Sequence, residues 1–64
     1  MSELKYRMNK QTISTLADQE GWSFKRAALF LARENYRASL SAGVPTSAIE
    51  AAIDAALAAV GVIR

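Results

Sequence analysis

Arg26, Arg33 and Arg37 are the residues whose type and spacing could do most in this chain. On a helix, at about 100° per residue, they fall within roughly 40° of one another, with Phe30 between them. Guanidiniums along one stripe can grip phosphates or carboxylates. Arginine beside an aromatic ring also suits a protein contact, where both residue types are favoured. The plainer alternative is a solvated rim, with Phe30 partly covered by the arginine stems.

Catalysis has little else to use. The chain has no histidine and no cysteine, which excludes imidazole chemistry, thiolate metal sites and disulfides. Ser14, Ser23, Ser39 and Ser41 therefore lack a histidine base to activate them. The carboxylates are scattered singly. Glu50 and Asp54 lie one turn apart, but two acids on an alanine-rich helix make a poor metal site, and a solvated face is the ordinary reading. A phosphate-cradling glycine loop is missing too. The expectation is a protein that is not an enzyme, with no cofactor and no metal.

Sixty-four residues make one small domain, 1–64, which buries only about 60% of its unfolded surface. With 52% hydrophobic and 22% charged residues, the composition is that of a folded chain. It needs a tight core, or burial against a second copy or partner. The net charge is +2 and unevenly spread. Residues 1–39 carry seven basic side chains against four acids, whereas 40–64 carry Arg64 against Glu50 and Asp54. Such asymmetry fits a nucleic-acid-facing half beside a partner-facing half. The polar start, Ser2-Glu3-Leu4-Lys5, does not read as a leader peptide. The most apolar stretch, Ala55 to Ile63, is far short of the roughly 20 residues that span a bilayer. A cytoplasmic protein with no membrane association is expected.

The elements that must position these residues are punctuated by glycine. Gly21 precedes Trp22, Gly43 precedes Val44 and Gly61 precedes Val62. A left-handed glycine followed by an apolar residue packed on the last turn is a common helix ending, so three helix stops are predicted. Trp22 should accordingly fold back on Leu16 and Ala17. The third helix reads from about 47 to 60. Ser47-Ala48-Ile49-Glu50 has the form of a capping box, and Ile49, Ile53, Leu57 and Val60 recur at helical spacing. The second reads from about 23 to 42 with Ser23 as its N-cap. Phe24, Ala27, Ala28, Leu31 and Ala38 share one face, and Leu29, Ala32 and Tyr36 widen the apolar surface. Asn35 falls in the middle of that face and needs a hydrogen-bond partner there.

The first helix reads from about 11 to 20, on an apolar stripe of Ile13, Leu16 and Ala17. Before it, Glu3-Leu4-Lys5-Tyr6-Arg7-Met8 alternates polar with apolar, the period of a strand. A lone strand must pair with another chain; otherwise 3–8 is a lead-in to the first helix. The fold class is thus mainly α, with three helices, an N-terminal strand as one option, and a homodimer. The second helix has more apolar surface than two short neighbours can cover.

This order of elements resembles the ribbon–helix–helix repressors, of the Arc and MetJ kind. In that family a short strand pairs with its twin across a dimer, and two helices follow, joined by a G-x-[ST] turn. Here Glu3 to Met8 looks like the strand, Gly21-Trp22-Ser23 like the turn and Phe24 to Tyr36 like the second helix, so the resemblance covers residues 3–36. It implies that Glu3, Lys5 and Arg7 reach base edges in the major groove. It also implies that the amide end of the second helix, at Trp22 and Ser23, holds a backbone phosphate. Thr15-Leu16-Ala17 through Gly21-Trp22-Ser23 is similar, too, to the turn of a helix-turn-helix.

Two functions are therefore expected from different classes. The first is a small DNA-binding regulator acting as a dimer, either a repressor or an antitoxin-like autoregulator. The second is a protein-binding adaptor or small inhibitor, such as phages and plasmids encode, using Arg26, Phe30, Arg33 and Arg37.

Overall fold

Three helices follow one another, α1 (Lys10–Glu20), α2 (Phe24–Ser41) and α3 (Thr46–Ala59), in a computed structural model that describes residues 4–63. All three end as the glycine spacing predicts, with φ of 70° at Gly21, 82° at Gly43 and 81° at Gly61. After α2 the Val44 N–H donates to the Ser39 carbonyl and the Gly43 N–H to the Leu40 carbonyl, both at 3.1 Å. This bond pair closes a helix around a left-handed residue. Trp22, Val44 and Val62 then pack back, half-buried, against the core. At Gly21 a Cβ would meet nothing within 4 Å, so the requirement for glycine there is conformational and not one of space.

The starts differ from one another. Ser23 caps α2 by accepting the Arg26 N–H at 3.1 Å, as expected. α1 begins at Lys10 because Asn9 caps it. The Asn9 side chain accepts the Thr12 N–H at 2.9 Å, and the Thr12 hydroxyl accepts the Asn9 N–H at 3.0 Å, a capping box with threonine in the third position. The expected box at Ser47 and Glu50 is corrected. Pro45 is the N-cap of α3 and no side chain caps that end. The Pro45 carbonyl already accepts the Ala48 and Ile49 N–H groups at 3.0 and 3.1 Å. The helix therefore starts at Thr46, and Ser47 lies inside its first turn.

α1 and α3 each pack on α2 and not on each other. α2 is thus the shared wall; Ala27, Ala28 and Ala32 are the buried apolar residues of its inner face, and Phe24, Leu31 and Tyr36 pack half-buried beside them. Alanines there let both neighbours approach closely. Ile13 and Ala17 from α1, and Ile49, Ile53 and Leu57 from α3, complete the core with Met8. Burying an isoleucine fully is worth about 1.5–3 kcal/mol, so Ile13 and Ile49, the largest fully buried apolar side chains, carry much of the core's apolar stabilisation.

Asn35 sits in the middle of this face at 0% exposure. Its Oδ1 accepts the Tyr6 N–H at 2.7 Å, and its Nδ2 donates to the Tyr6 carbonyl at 2.9 Å. One side chain thus supplies both bonds that a neighbouring strand would supply. The lead-in is tied a second time by the Thr12 hydroxyl, which donates to the Arg7 carbonyl at 2.8 Å. Leu4 and Met8 pack into the core.

Of the two alternatives for 3–8, a strand or a lead-in to the first helix, the described residues show the lead-in, and the strand is corrected. Glu3 lies outside the described residues, and no strand occurs among the described ones; the chain bends at Lys5 and Tyr6. The alternation of Leu4, Tyr6 and Met8 reflects two anchors entering the core on either side of a clamped backbone, with Tyr6 itself 40% exposed.

Two predictions follow from these attachments. Asn35→Ala leaves the Tyr6 N–H and carbonyl without their partner, so it should cost about 2–3 kcal/mol in a urea melt. Amide exchange at Tyr6 should accelerate while the middle of α2 stays protected. Asn9→Ala should cost about 1 kcal/mol, whereas Ser47→Ala, which removes no cap, should leave the thermal midpoint within a degree or two of the parent.

Candidate functional site

With its inner face committed to the core, α2 turns the opposite face outward. Taking Arg26 as the reference, Leu29, Phe30, Arg33, Arg37 and Leu40 all project within an arc of roughly 100° at helical spacing. Every one of them is exposed, with Leu29 at 45%, Phe30 at 41% and Leu40 at 50%. Single exposed apolar residues need no explanation; a contiguous set does.

Trp22 enters this face from the turn. The left-handed Gly21 reverses the chain, and the Trp22 N–H donates to the Ala17 carbonyl at 2.9 Å, which holds the indole against the core. The ring also meets Phe30, with centroids 5.2 Å apart and planes tilted by 57°. The Arg26 guanidinium lies over the indole at 4.6 Å. An aromatic pair of this kind contributes about 0.5–1.5 kcal/mol and an exposed cation–π contact about 0.5–1 kcal/mol. Rings and guanidinium are thereby held in place before anything binds. Trp22, Arg26, Leu29, Phe30 and Arg33 line an open groove of ≈ 430 Å³, and Arg37 lies one turn beyond it.

The four residues singled out for a protein contact, Arg26, Phe30, Arg33 and Arg37, thus share one solvent-facing stripe. The residues singled out for DNA do not form one constellation. Glu3 is outside the described residues. Lys5 and Arg7 are exposed and line a second open groove of ≈ 420 Å³ with Leu4 and Met8. Ser23 is occupied as the cap of α2. Trp22 belongs to the arginine face.

Leu29 and Leu40 were missed from the sequence. Leu29 counts as core when apolar residues are summed, yet it lies about 120° from Asn35 on the helical wheel. Centring the wheel on Asn35, the residue that most needs burial, would have placed both leucines outside. Among the described residues no three carboxylates gather as a metal would need, and no helix is long and apolar enough to cross a membrane. The chain matches no protein-family model, no curated protein and no solved structure, so the reading of this face rests on its own chemistry.

Trp22 and Phe30 should separate cleanly in a stability measurement. Trp22→Ala removes a half-buried ring from the α1–α2 corner and should cost about 2 kcal/mol, below the 3–5 kcal/mol of a fully buried aromatic. Phe30→Ala should cost about 1 kcal/mol, since the residue is 41% exposed and the main contact it loses is the one with Trp22. Thermal melts of the two variants check both values.

Proposed function

We propose that this chain is a non-enzymatic protein-binding module, an adaptor or small inhibitor, whose contact surface is the outer face of α2 with Trp22 at one end. The observation that carries this reading is the stripe itself. Three arginines, two leucines and Phe30 are exposed together on the helix against which the other two pack, and the half-buried Trp22 adjoins them from the preceding turn. Tryptophan and arginine are the residues most often found at energetic hot spots. Here they stand on a rigid central element, so little ordering is needed on association. A cytoplasmic setting goes with the proposal.

A second reading, a homodimeric DNA-binding repressor or antitoxin-like autoregulator, draws on the exposed Lys5 and Arg7. It asks more of the fold. A ribbon bonded through Tyr6 would displace the Asn35 clamp from the same N–H and carbonyl, and one bonded through Lys5 and Arg7 would use an Arg7 carbonyl that already accepts the Thr12 hydroxyl. The arginine stripe could meet phosphates without a ribbon, and in that case binding should fall steeply with salt.

A photo-crosslinking amino acid placed at Leu29 and activated in the source cells tests the proposal. The expected result is a discrete protein adduct, lost when Arg26→Glu and Phe30→Ala are added. An adduct to nucleic acid, or a duplex affinity that Lys5→Glu with Arg7→Glu abolishes, would move the assignment to the DNA reading.

A further inference from the structure

The exposed stripe has an order that its composition alone does not convey. Arg26, Phe30, Arg33, Arg37 and Leu40 are separated by four, three, four and three residues. That is the alternation of the two seam positions of a coiled coil, here facing solvent instead of a neighbour. Leu29 flanks the seam and widens it. From Arg26 to Leu40 the seam runs about 21 Å, close to four helical turns.

A seam with this spacing is shaped for a second helix lying alongside at a shallow angle, which keeps successive side chains in register. The charge then selects that helix. Three of the five seam positions are arginine, and no carboxylate lies in the exposed arc; Glu34, the acid nearest it on the wheel, is half-buried at its flank. A parallel second copy of α2 would set arginine against arginine along the seam, and an antiparallel one would set Arg33 against Arg33 and leave Arg26 and Arg37 facing apolar residues; with no carboxylate on the seam to compensate, self-pairing through this face is disfavoured. A basic or neutral helix would leave the guanidiniums unpaired as the contact closes.

We infer that the outer face of α2 docks an acidic amphipathic helix of a partner protein. Its apolar residues would meet Leu29, Phe30 and Leu40, and its carboxylates would meet Arg26, Arg33 and Arg37. This rests on the protein-binding reading and names the chemistry of the partner. Bidentate pairing to carboxylates suits arginine better than lysine, and all three basic residues of the seam are arginines. The helix-in-groove mode supplies the rest, with anchors repeating every three and four residues.

The chain carries its own reporter, because Trp22 is its sole tryptophan and stands at the end of the seam under Arg26. The full-length protein is titrated with an 18-residue helical peptide that alternates leucine and glutamate along its seam and carries glutamate on its flanks. Glutamine-for-glutamate and lysine-for-glutamate versions of the peptide serve as controls. The expected result is a change in Trp22 emission with the acidic peptide, at least tenfold tighter than with the glutamine version and weakened by added salt. Arg33→Glu combined with Arg37→Glu alters only exposed side chains and should reverse the preference, so that the lysine version now binds. Equal binding of all three peptides, or a double variant that still prefers the acidic one, would overturn the inference. A stronger response to a 20-base-pair duplex would assign the arginines to phosphate and overturn it as well. If the crosslink at Leu29 finds a protein whose contacting segment is neither helical nor acidic, this inference fails while the protein-binding reading stands. If no protein adduct forms, both fail.

Discussion

Asn35 is the residue on which the arrangement turns. A buried side-chain amide is costly unless it is hydrogen-bonded, and in the middle of α2 no other backbone group is at hand, since the helix uses its own internally. The partner comes from Tyr6, 29 residues earlier. One amide carries both an acceptor and donors, so it satisfies the Tyr6 N–H and carbonyl together. The lead-in segment is thereby drawn onto the inner face of α2, and Leu4 and Met8 enter the core with it. Few other side chains could do this. A carboxylate would meet the Tyr6 carbonyl with like charge, and an aliphatic chain would leave two polar backbone groups unpaired.

That clamp also decides which way α2 faces. Asn35 at the centre turns Ala27, Ala28 and Ala32 inward, where small side chains admit α1 on one flank and α3 on the other. The arginines, Leu29, Phe30 and Leu40 are then forced outward, because a helix has only one opposite side. The fully buried centre of the inner face is made of small residues, with Phe24, Leu31 and Tyr36 packing half-buried around it, while Leu29, Phe30 and Leu40 lie outside. In a chain of 64 residues this is a costly distribution, since a small domain has little apolar surface to spare from its core. Leu29, Phe30 and Leu40, interspersed with or adjoining the arginines, are apolar surface that the core does not use.

Trp22 joins the two sides. Gly21 turns the chain so that the indole rests on the core, while it also meets Phe30 in a tilted aromatic pair and lies under Arg26. The corner that sets α1 against α2 is therefore also one end of the exposed stripe. Trp22 is half-buried, so the same ring packs on the core and borders the exposed stripe.

Much of the fold is legible in the sequence by itself. Glycine before an apolar residue marks all three helix ends because the left-handed conformation is local and disfavours other residues. Ile13, Ala17, Ile49, Ile53 and Leu57 follow from helical periodicity, and the need of Asn35 for a partner follows from its position among apolar residues. The start of α3 was misplaced because Ser47 and Glu50 have the right letters for a cap, whereas Pro45, already extended, takes that role through its backbone. Strand and lead-in both stay open over 3–8 from the sequence, because an alternating pattern records which side chains are apolar and not what binds the backbone between them; the structure has the lead-in. Of the candidate face, the arginine stripe and Phe30 were readable from spacing alone. The outward position of Leu29 and Leu40 follows once the wheel is centred on Asn35, whereas the tilted contact of Trp22 with Phe30 was decided by tertiary structure. Composition tells how much of α2 is apolar, but which side turns to water depends on where Tyr6 arrives, and that is a contact between residues far apart in the chain.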